Sequence, residues 1–578
     1  MKPDTRSPFP RRAIVVFFLF ILASGAQAVQ WHRWSPATPS LAARAGKPVV
    51  LLIRHGVCHP CRQIENAVSS DAFDAFTPVL LDADESPRTA ASYLAWLELS
   101  GCGKGELPAL LVATPHLEPL AAAAGASPGI AARFLEETAR RWAADRDSLV
   151  ASAGLSMRRI RSSGRICIPP DTPATRAVAA MRAFRGEDEQ ARTIALTRLR
   201  DSAASAVYDH LGGGFFERPR DEAWRVPRFD KLLRDQALAV LAYTEAWQIT
   251  RDPLFRDVAR ATATLLIRDF RDNRTGLFFN ALGSHSLFAR RGPEMLEGAH
   301  YVWSASEIRN LLGDRSADLF MEHYGVTAGG NVSEVFDPAG DMLGKNVLFR
   351  PGPPGGVETE KTLEAARAIL LQVRSRRPPP ARDERLLAET NALAISALAR
   401  AGSAFDVPAW RDAAARAMRS LAARRDFTKT PAADRALIDV WEATFDPHFL
   451  DVRQNVPPGR AIEQVPDVVA GLAAEDDLPA TPVSREILIA GSPGAGETEA
   501  FLRVVRERFL PDARVHLVAS DAARKRLATS LPDVQCPRPE TPCATVCIAG
   551  GGCRTPTDRS GVLAAWLGGA PASQPAPR

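Results

Sequence analysis

Lysine is scarce in this sequence, with 8 lysines against 64 arginines among 72 basic residues, a bias of composition rather than of function. An excess of one charge is missing as well. The formal net charge is +5 over 578 residues, which gives no basis for binding nucleic acid. Long apolar runs are absent too: AIVVFFLFILA at residues 13–23 is the only unbroken stretch, and a bilayer span needs about 20 residues. Cysteine is limited to 8 positions, and Cys58-x-x-Cys61 is followed by no second CxxC at zinc-ribbon spacing. What remains, 46% apolar and 24% charged, is ordinary globular material, too long for one core and sized for three or so units.

The apolar run has a basic approach, Lys2, Arg6, Arg11 and Arg12. Its exit, SGAQA at 24–28, carries small residues where a signal peptidase reads. This predicts a signal peptide over residues 1–28, cleaved after Ala28, and an exported, periplasmic protein with no transmembrane span after cleavage. A retained anchor is the alternative. Cleavage removes four positive side chains and Asp4, leaving a formal charge of +2. Outside the cytosol, cysteines can pair.

Along the chain, apolar runs at 47–53, 78–84 and 108–114 predict buried strands. A helix beginning at Cys58 and carrying Ile64 and Val68 inward, another bearing Tyr93, Leu94 and Leu97, and a third over 128–146 complete a small α/β domain, residues 29–150. A basic linker, 158–173, follows. Residues 174–451 then read as paired helices: Pro253-Leu-Phe255-Arg-Asp257 is echoed at Pro408–Asp412 and, more loosely, at Pro447–Asp451, with Asp252 and Asp446 placed to cap. After a linker at 476–482 comes a small C-terminal α/β unit with cysteines, residues 484–567, with strands at 485–491 and 514–520 around a helix at 497–510. A disordered tail, 568–578, ends the chain.

The pair in VVLLIRHGVCHPCRQIE (49–65) carries the clearest chemistry. Thiol–disulfide exchange needs one attacking thiolate and a second thiol to resolve the mixed disulfide. At a helix start, unpaired amides and the dipole favour a thiolate on Cys58, with Cys61 one turn inside. Pro60 suits the first turn, and His59 would add positive charge. The reading needs Cys58 to be reachable. Arg62 in place of histidine excludes a c-type haem site. A zinc or copper site using His55, Cys58 and Cys61, and an inert structural disulfide, remain alternatives.

Taken with its flanks, WHRWS (31–35), KPVVLLI (47–53), LLDADESP (80–87) and GCGKGELPALLVATP (101–115), the CHPC segment resembles the thioredoxin-like domain of the spermatogenesis-associated protein 20-like family. The segments at 208–237, 297–308, 324–331 and 544–558 are similar to later motifs of that family. The resemblance implies a multidomain α/β and all-α chain: an N-terminal thioredoxin-like fold, an incomplete (α/α)6 six-hairpin toroid of the glycosidase and sugar-epimerase type, and the small C-terminal unit. It implies that Pro108 is a cis-proline beside the redox pair, leaving a backbone edge for a substrate strand. Four departures stand out. Pro60 replaces a tryptophan, an early Gly-Gly-Phe motif is missing, ALGSHS (281–286) replaces an aspartate-rich segment, and AETNAL (388–393) replaces a Trp-Asn segment.

The stretch YDHLGGGFFERPRDEAWRVPRFDKLLRD (208–235) is the densest site-like region of the array. Asp209, Asp230 and Asp235 are candidate acid/base groups, and Trp224, Phe215 and Phe216 offer faces for a sugar. Lys231 and His210 complete a candidate pocket. The structural alternative is a rim of capping carboxylates with core aromatics, and His210 and His300 as hydrogen-bonded structural groups. GSPGAGET (491–498) imitates a phosphate loop, but Glu497 stands at the lysine position, which excludes nucleotide binding. Cys536, Cys543, Cys547 and Cys553 are structural disulfide candidates, Cys547 with Cys553 preferred, while Cys102 and Cys167 are unassigned.

The expectation is therefore an exported protein exchanging disulfides through Cys58 and Cys61, supported by His59, Pro60 and Pro108. Its partner would be a protein thiol or disulfide, with no cofactor and no metal. A carbohydrate-binding or carbohydrate-processing toroid is the second reading, and a non-enzymatic scaffold the third.

Overall fold

The computed structural model describes residues 29–68, 70–101, 107–163, 171–287, 294–428, 430–456, 482–530, 541–548 and 552–568. The expected signal segment, Cys102, Cys167, Cys536, most of the 476–482 linker and most of the tail lie outside them.

The first domain is built on five strands, β1 (His32–Arg33), β2 (Val49–Arg54), β3 (Thr77–Asp82), β4 (Ala109–Ala113) and β5 (Pro119–Ala124), in the order β1-β3-β2-β4-β5. β1, β3 and β2 run parallel, and β4 and β5 antiparallel. Of the helices α1 (Thr38–Ala45), α2 (His59–Ala67), α3 (Pro87–Leu99), α4 (Pro128–Ala144) and α5 (Arg146–Ser162), α3 and α5 cover one face and α2 and α4 the other. β2 is an unbroken apolar run because both its faces are covered. Val49, Leu51 and Ile53 point to Tyr93 and Trp96 on one side. Val50 and Leu52 point to Ile64 and Leu135 on the other. This is the thioredoxin-like fold.

Two boundaries differ from the sequence reading. Cys58 is the N-cap of α2 rather than its first helical residue. α5 crosses residue 150 and occupies the start of the expected 158–173 linker. It does so because Met157 and Ile160 bury into the sheet's core, an apolar spacing hidden in a basic segment.

The helical domain pairs α6 (Pro173–Arg185) with α7 (Glu189–Ala204) and α8 (Leu233–Thr250) with α9 (Pro253–Leu265). A smaller group follows, α10 (Ala305–Leu312), α11 (Asp314–His323) and α12 (Val357–Arg374). Then α13 (Ala388–Ala404) pairs with α14 (Pro408–Ala422) and α15 (Pro431–Thr444) with α16 (His448–Asn455). α6, α8, α13 and α15 stand side by side as an inner layer. α8 and α13 are apolar nearly all round because neighbours flank them on several sides. The layer is an incomplete (α/α)6 toroid. Asp252 caps α9 through the Leu254 amide. Asp446 accepts from the His448 amide at 3.0 Å, although Pro447 is the N-cap of α16.

The C-terminal unit pairs Arg485–Ala490 parallel to Ala513–Val518 and antiparallel to Cys543–Ile548. Cys547 and Cys553 face each other across a short antiparallel pair and are joined as a disulfide. The unit sits at the C-terminal ends of the inner helices. Phe509 meets Phe184, His516 meets Trp441, and Gln248 Nε2 donates to the Arg506 carbonyl. The thioredoxin-like domain meets the opposite side, where α8 and α13 begin.

Candidate functional site

β2 ends at Arg54, and the turn 55–57 carries the chain into α2. Cys58 and Cys61 form a disulfide, with the Cys61 amide donating to Cys58 Sγ at 3.2 Å. Those amides would stabilise a thiolate on Cys58 once the bond opens. The Leu107–Pro108 peptide is cis.

The pair is sealed, so the condition set by the sequence reading, a reachable Cys58, is not met in this closed arrangement. Cys58 is 1% exposed and Cys61 0%. The cover comes from the helical domain. His285 stacks on His59 with ring centroids 4.5 Å apart. Gly283 lies so close to Val57 that an added Cβ would sit 3.3 Å from the valine Cβ. Arg228 Nη1 donates to the Leu107 carbonyl at 3.0 Å, filling the backbone edge beside Pro108 that the resemblance assigns to a substrate strand.

A polar seam fastens this cover. Arg385 Nη1 donates to Asp82 at 2.9 Å, and its Nη2 to Asp84 at 3.2 Å and to Asp383 at 2.7 Å. Asn280 Nδ2 bridges Asp84 at 2.8 Å and Asp383 at 2.9 Å. The Gly56 amide donates to Asp84 Oδ2 at 3.1 Å. A Cβ on Gly56 would fall 2.0 Å from Asp383 Oδ2, so only glycine allows the approach.

His59 does not supply the expected positive charge. Burial lowers its pKa, and Arg62 lowers it further. Burial also takes His285 down to about 4, with His59 adding to the effect and Asp230 opposing it. The stack is thus a neutral pair.

The array residues predicted to share a pocket are dispersed. Asp209 accepts from Lys231 Nζ at 2.7 Å and from Arg374 at 2.7 and 2.9 Å. Burial works to raise its pKa, but Arg374 and Lys231 hold it well below the carboxylate range. Lys231 is enclosed by the Phe216 and Tyr301 rings, and burial lowers it to about 8 against the pull of Asp209. Trp224 lies under the Arg176 guanidinium, 3.6 Å from its ring centre. His210 Nε2 and His300 Nδ1 contact the Ser205 and Pro378 carbonyls. The cavity beside Asp209 measures about 20 Å³ and has Asp209 as its sole carboxylate, room for about one water. Asp230 and Asp235 face the domain interface instead. Asp230 accepts from the Ser284 amide at 2.8 Å, and burial raises Asp235 to about 7 despite Arg234.

With this geometry in place, comparison with known proteins gives three findings. Residues 18–161 match the family model Thioredox_DsbH, a protein of unknown function (DUF255). Over 469 residues the chain is 26% identical to human spermatogenesis-associated protein 20, spanning 69% of this chain and 59% of that protein. The similarity to spermatogenesis-associated protein 20 thus reaches well beyond the thioredoxin-like domain. An uncharacterized protein of Caenorhabditis elegans is 24% identical over 462 residues, 68% of this chain and 62% of its own. Thus the chain matches less than two thirds of the length of these relatives.

Among solved structures, cellobiose 2-epimerase from Spirochaeta thermophila is 18% identical, covering 43% of this chain and 72% of that one, with a TM-score of 0.18. A family 76 glycoside hydrolase from a Bacteroides thetaiotaomicron strain is 10% identical, covering 49% and 57%, with a TM-score of 0.21. At those scores the likeness carries no argument. The spermatogenesis-associated protein 20-like motifs at 80–87 and 208–237 supply Asp82, Asp84, Glu217, Arg228 and Asp230 to the interface. Arg385, Arg374 and Asn280 belong to no motif read from the sequence, and His285 lies in the departing ALGSHS segment.

Two outcomes are expected. Lys231→Met deprives buried Asp209 of one of its two cations and lowers unfolding free energy by about 3 kcal/mol, measured by denaturant titration. The second concerns pH. Because His285 titrates near 4 in the folded chain and near 6.5 when released, the folded state binds fewer protons between those values. Stability therefore falls as pH drops from 6.5 towards 4. His285→Gln flattens that part of the unfolding-midpoint profile relative to the parent chain.

Proposed function

We propose that this protein is an exported thiol–disulfide exchange protein whose Cys58–Cys61 pair works only when the helical domain moves off it. The observation that carries the reading is the redox pair at a helix N-terminus, in a thioredoxin-like fold, closed under a seam of charges rather than under an apolar core. In the open state a partner thiolate attacks Cys58 Sγ and the Cys58–Cys61 bond breaks. Cys61 leaves as a thiolate and takes a proton. The partner's second thiolate then displaces Cys58, so two electrons pass from a partner dithiol to the pair. The reverse sequence delivers them to a partner disulfide. The cover excludes small thiols and bystander proteins, leaving a partner able to bind the open form. A location outside the cytosol fits a pair held as a disulfide.

The test compares the rate at which dithiothreitol reduces Cys58–Cys61 in the oxidised full chain and in Gly56→Ala. The backbone of Gly56 accepts alanine, so the variant acts through the collision of the new methyl with Asp383 and Arg385 in the seam. A loss of about 1.4 kcal/mol of closing free energy multiplies the open fraction by about ten, and reduction should accelerate by about that factor. Arg385→Ala should act in the same direction. Equal rates in all three chains refute the cover. A parent chain whose exchange with a model disulfide is untouched by Cys58→Ser refutes the redox function itself.

A further inference from the structure

Beneath the seam lies a second cluster that the redox reading does not use. His55, at the end of β2, is 2% exposed, and neither of its ring nitrogens has a hydrogen-bond partner. Glu217 faces it from the helical domain, with Oε2 3.9 Å from His55 Nε2 and likewise without a hydrogen-bond partner. Asp230 is 1% exposed. One ligand atom from each of the three lies within 4.8 Å of the others. A buried imidazole with two unsatisfied nitrogens is costly, and a ligand for them removes that cost.

We propose that His55, Glu217 and Asp230 bind one divalent transition-metal ion of the zinc class, held between the two domains. An imidazole with two carboxylates suits zinc, and three protein ligands leave a fourth position open. The imidazole argues against magnesium and calcium, which take oxygen ligands. Bonds of about 2.0–2.1 Å at tetrahedral angles place ligand atoms roughly 3.3 Å apart, so the side chains need to close by no more than about the length of one bond. The charges around the cluster set its strength. Arg218 donates to Glu217 Oε1 at 2.8 Å and leaves Oε2 to the ion. Arg228 Nε stands 3.7 Å from Oε2 and opposes a cation. The Ser284 amide on Asp230 Oδ1 orients that carboxylate, the supporting contact that metal ligands commonly have. Because one ligand comes from the thioredoxin-like domain and two from the array, the ion would hold the interface closed.

The inference stands apart from disulfide exchange, since binding is read directly. The full chain is prepared without a histidine tag, oxidised, stripped with a chelator, loaded with Zn²⁺ and dialysed, and its metal content is measured. A parallel sample takes Co²⁺ for its visible spectrum. One equivalent of zinc, a tetrahedral cobalt spectrum and a raised unfolding midpoint are expected. Loss of an outer-shell partner weakens metal sites by about 10–100-fold, so His55→Ala, Glu217→Gln and Asp230→Asn should each weaken binding by at least about tenfold. Three results overturn the proposal: a parent chain that retains no metal, retention unchanged by all three substitutions, or retention abolished by Cys58→Ser with Cys61→Ser, which would assign the ion to the thiols. The first and third require no folding-compromised variant of the proposed ligands.

Discussion

A single guanidinium, that of Arg385, faces four carboxylates at the junction of the two larger domains: Asp82, Asp84 and Glu85 from the thioredoxin-like domain, and Asp383 beside it in the array. Burial works against the charge on Arg385, yet the surrounding carboxylates raise its pKa above the ordinary guanidinium value. Asp84 shows what the arrangement costs. Burial raises its pKa even with His55 and Arg385 nearby. Without Arg385 the three aspartates would repel one another across the junction and favour its opening. The cover over Cys58, the stacking of His59 on His285 and the meeting of His55 with Glu217 all require that it stay closed.

The apolar cores do not share this dependence. Among the described residues, the clusters around β2 draw only on the thioredoxin-like domain, and the clusters around α8 and α13 draw on the helical domain. The C-terminal unit differs, since Phe509 joins the cluster around α7 and α8 and Phe445 joins the core of the C-terminal sheet. Separating the first domain mainly exchanges charge–charge contacts for water. Separating the last would expose aromatic surface, at about 25 cal/mol per Å². Relative motion therefore belongs at the first junction.

What could be read from the sequence follows the range of the interactions. β2, β3, β4 and α2 were legible because a buried strand writes itself as a continuous apolar run and a helix start as a capping residue followed by proline. The Cys58–Cys61 pair was legible for the same local reason. Its cover was not. Arg385 lies about 300 positions from Asp82 and Asp84, in a segment with no periodic signal, and an arginine in an arginine-rich chain carries little information. Asp209, Asp230 and Asp235 stand out in the sequence as candidate acid/base groups, but their spacing cannot reveal that Asp209 turns to Lys231 and Arg374 while Asp230 turns towards His55 of the other domain. α5 was missed because a basic surface hid the two apolar residues that dock it.

The ALGSHS segment ties these strands together. In place of the aspartate-rich stretch that the resemblance implies, this chain has residues with three separate tasks. Gly283 presents no side chain and lets the backbone approach Val57. Ser284 directs its amide to Asp230. His285 lays a neutral ring on His59. Further carboxylates here would stand among half-buried Asp84 and buried Glu217, Asp230 and Asp235, and like charges at such distances in a poorly solvated seam cost several kcal/mol. Gly283, Ser284 and His285 together therefore give this face a small, uncharged surface that fits over a disulfide.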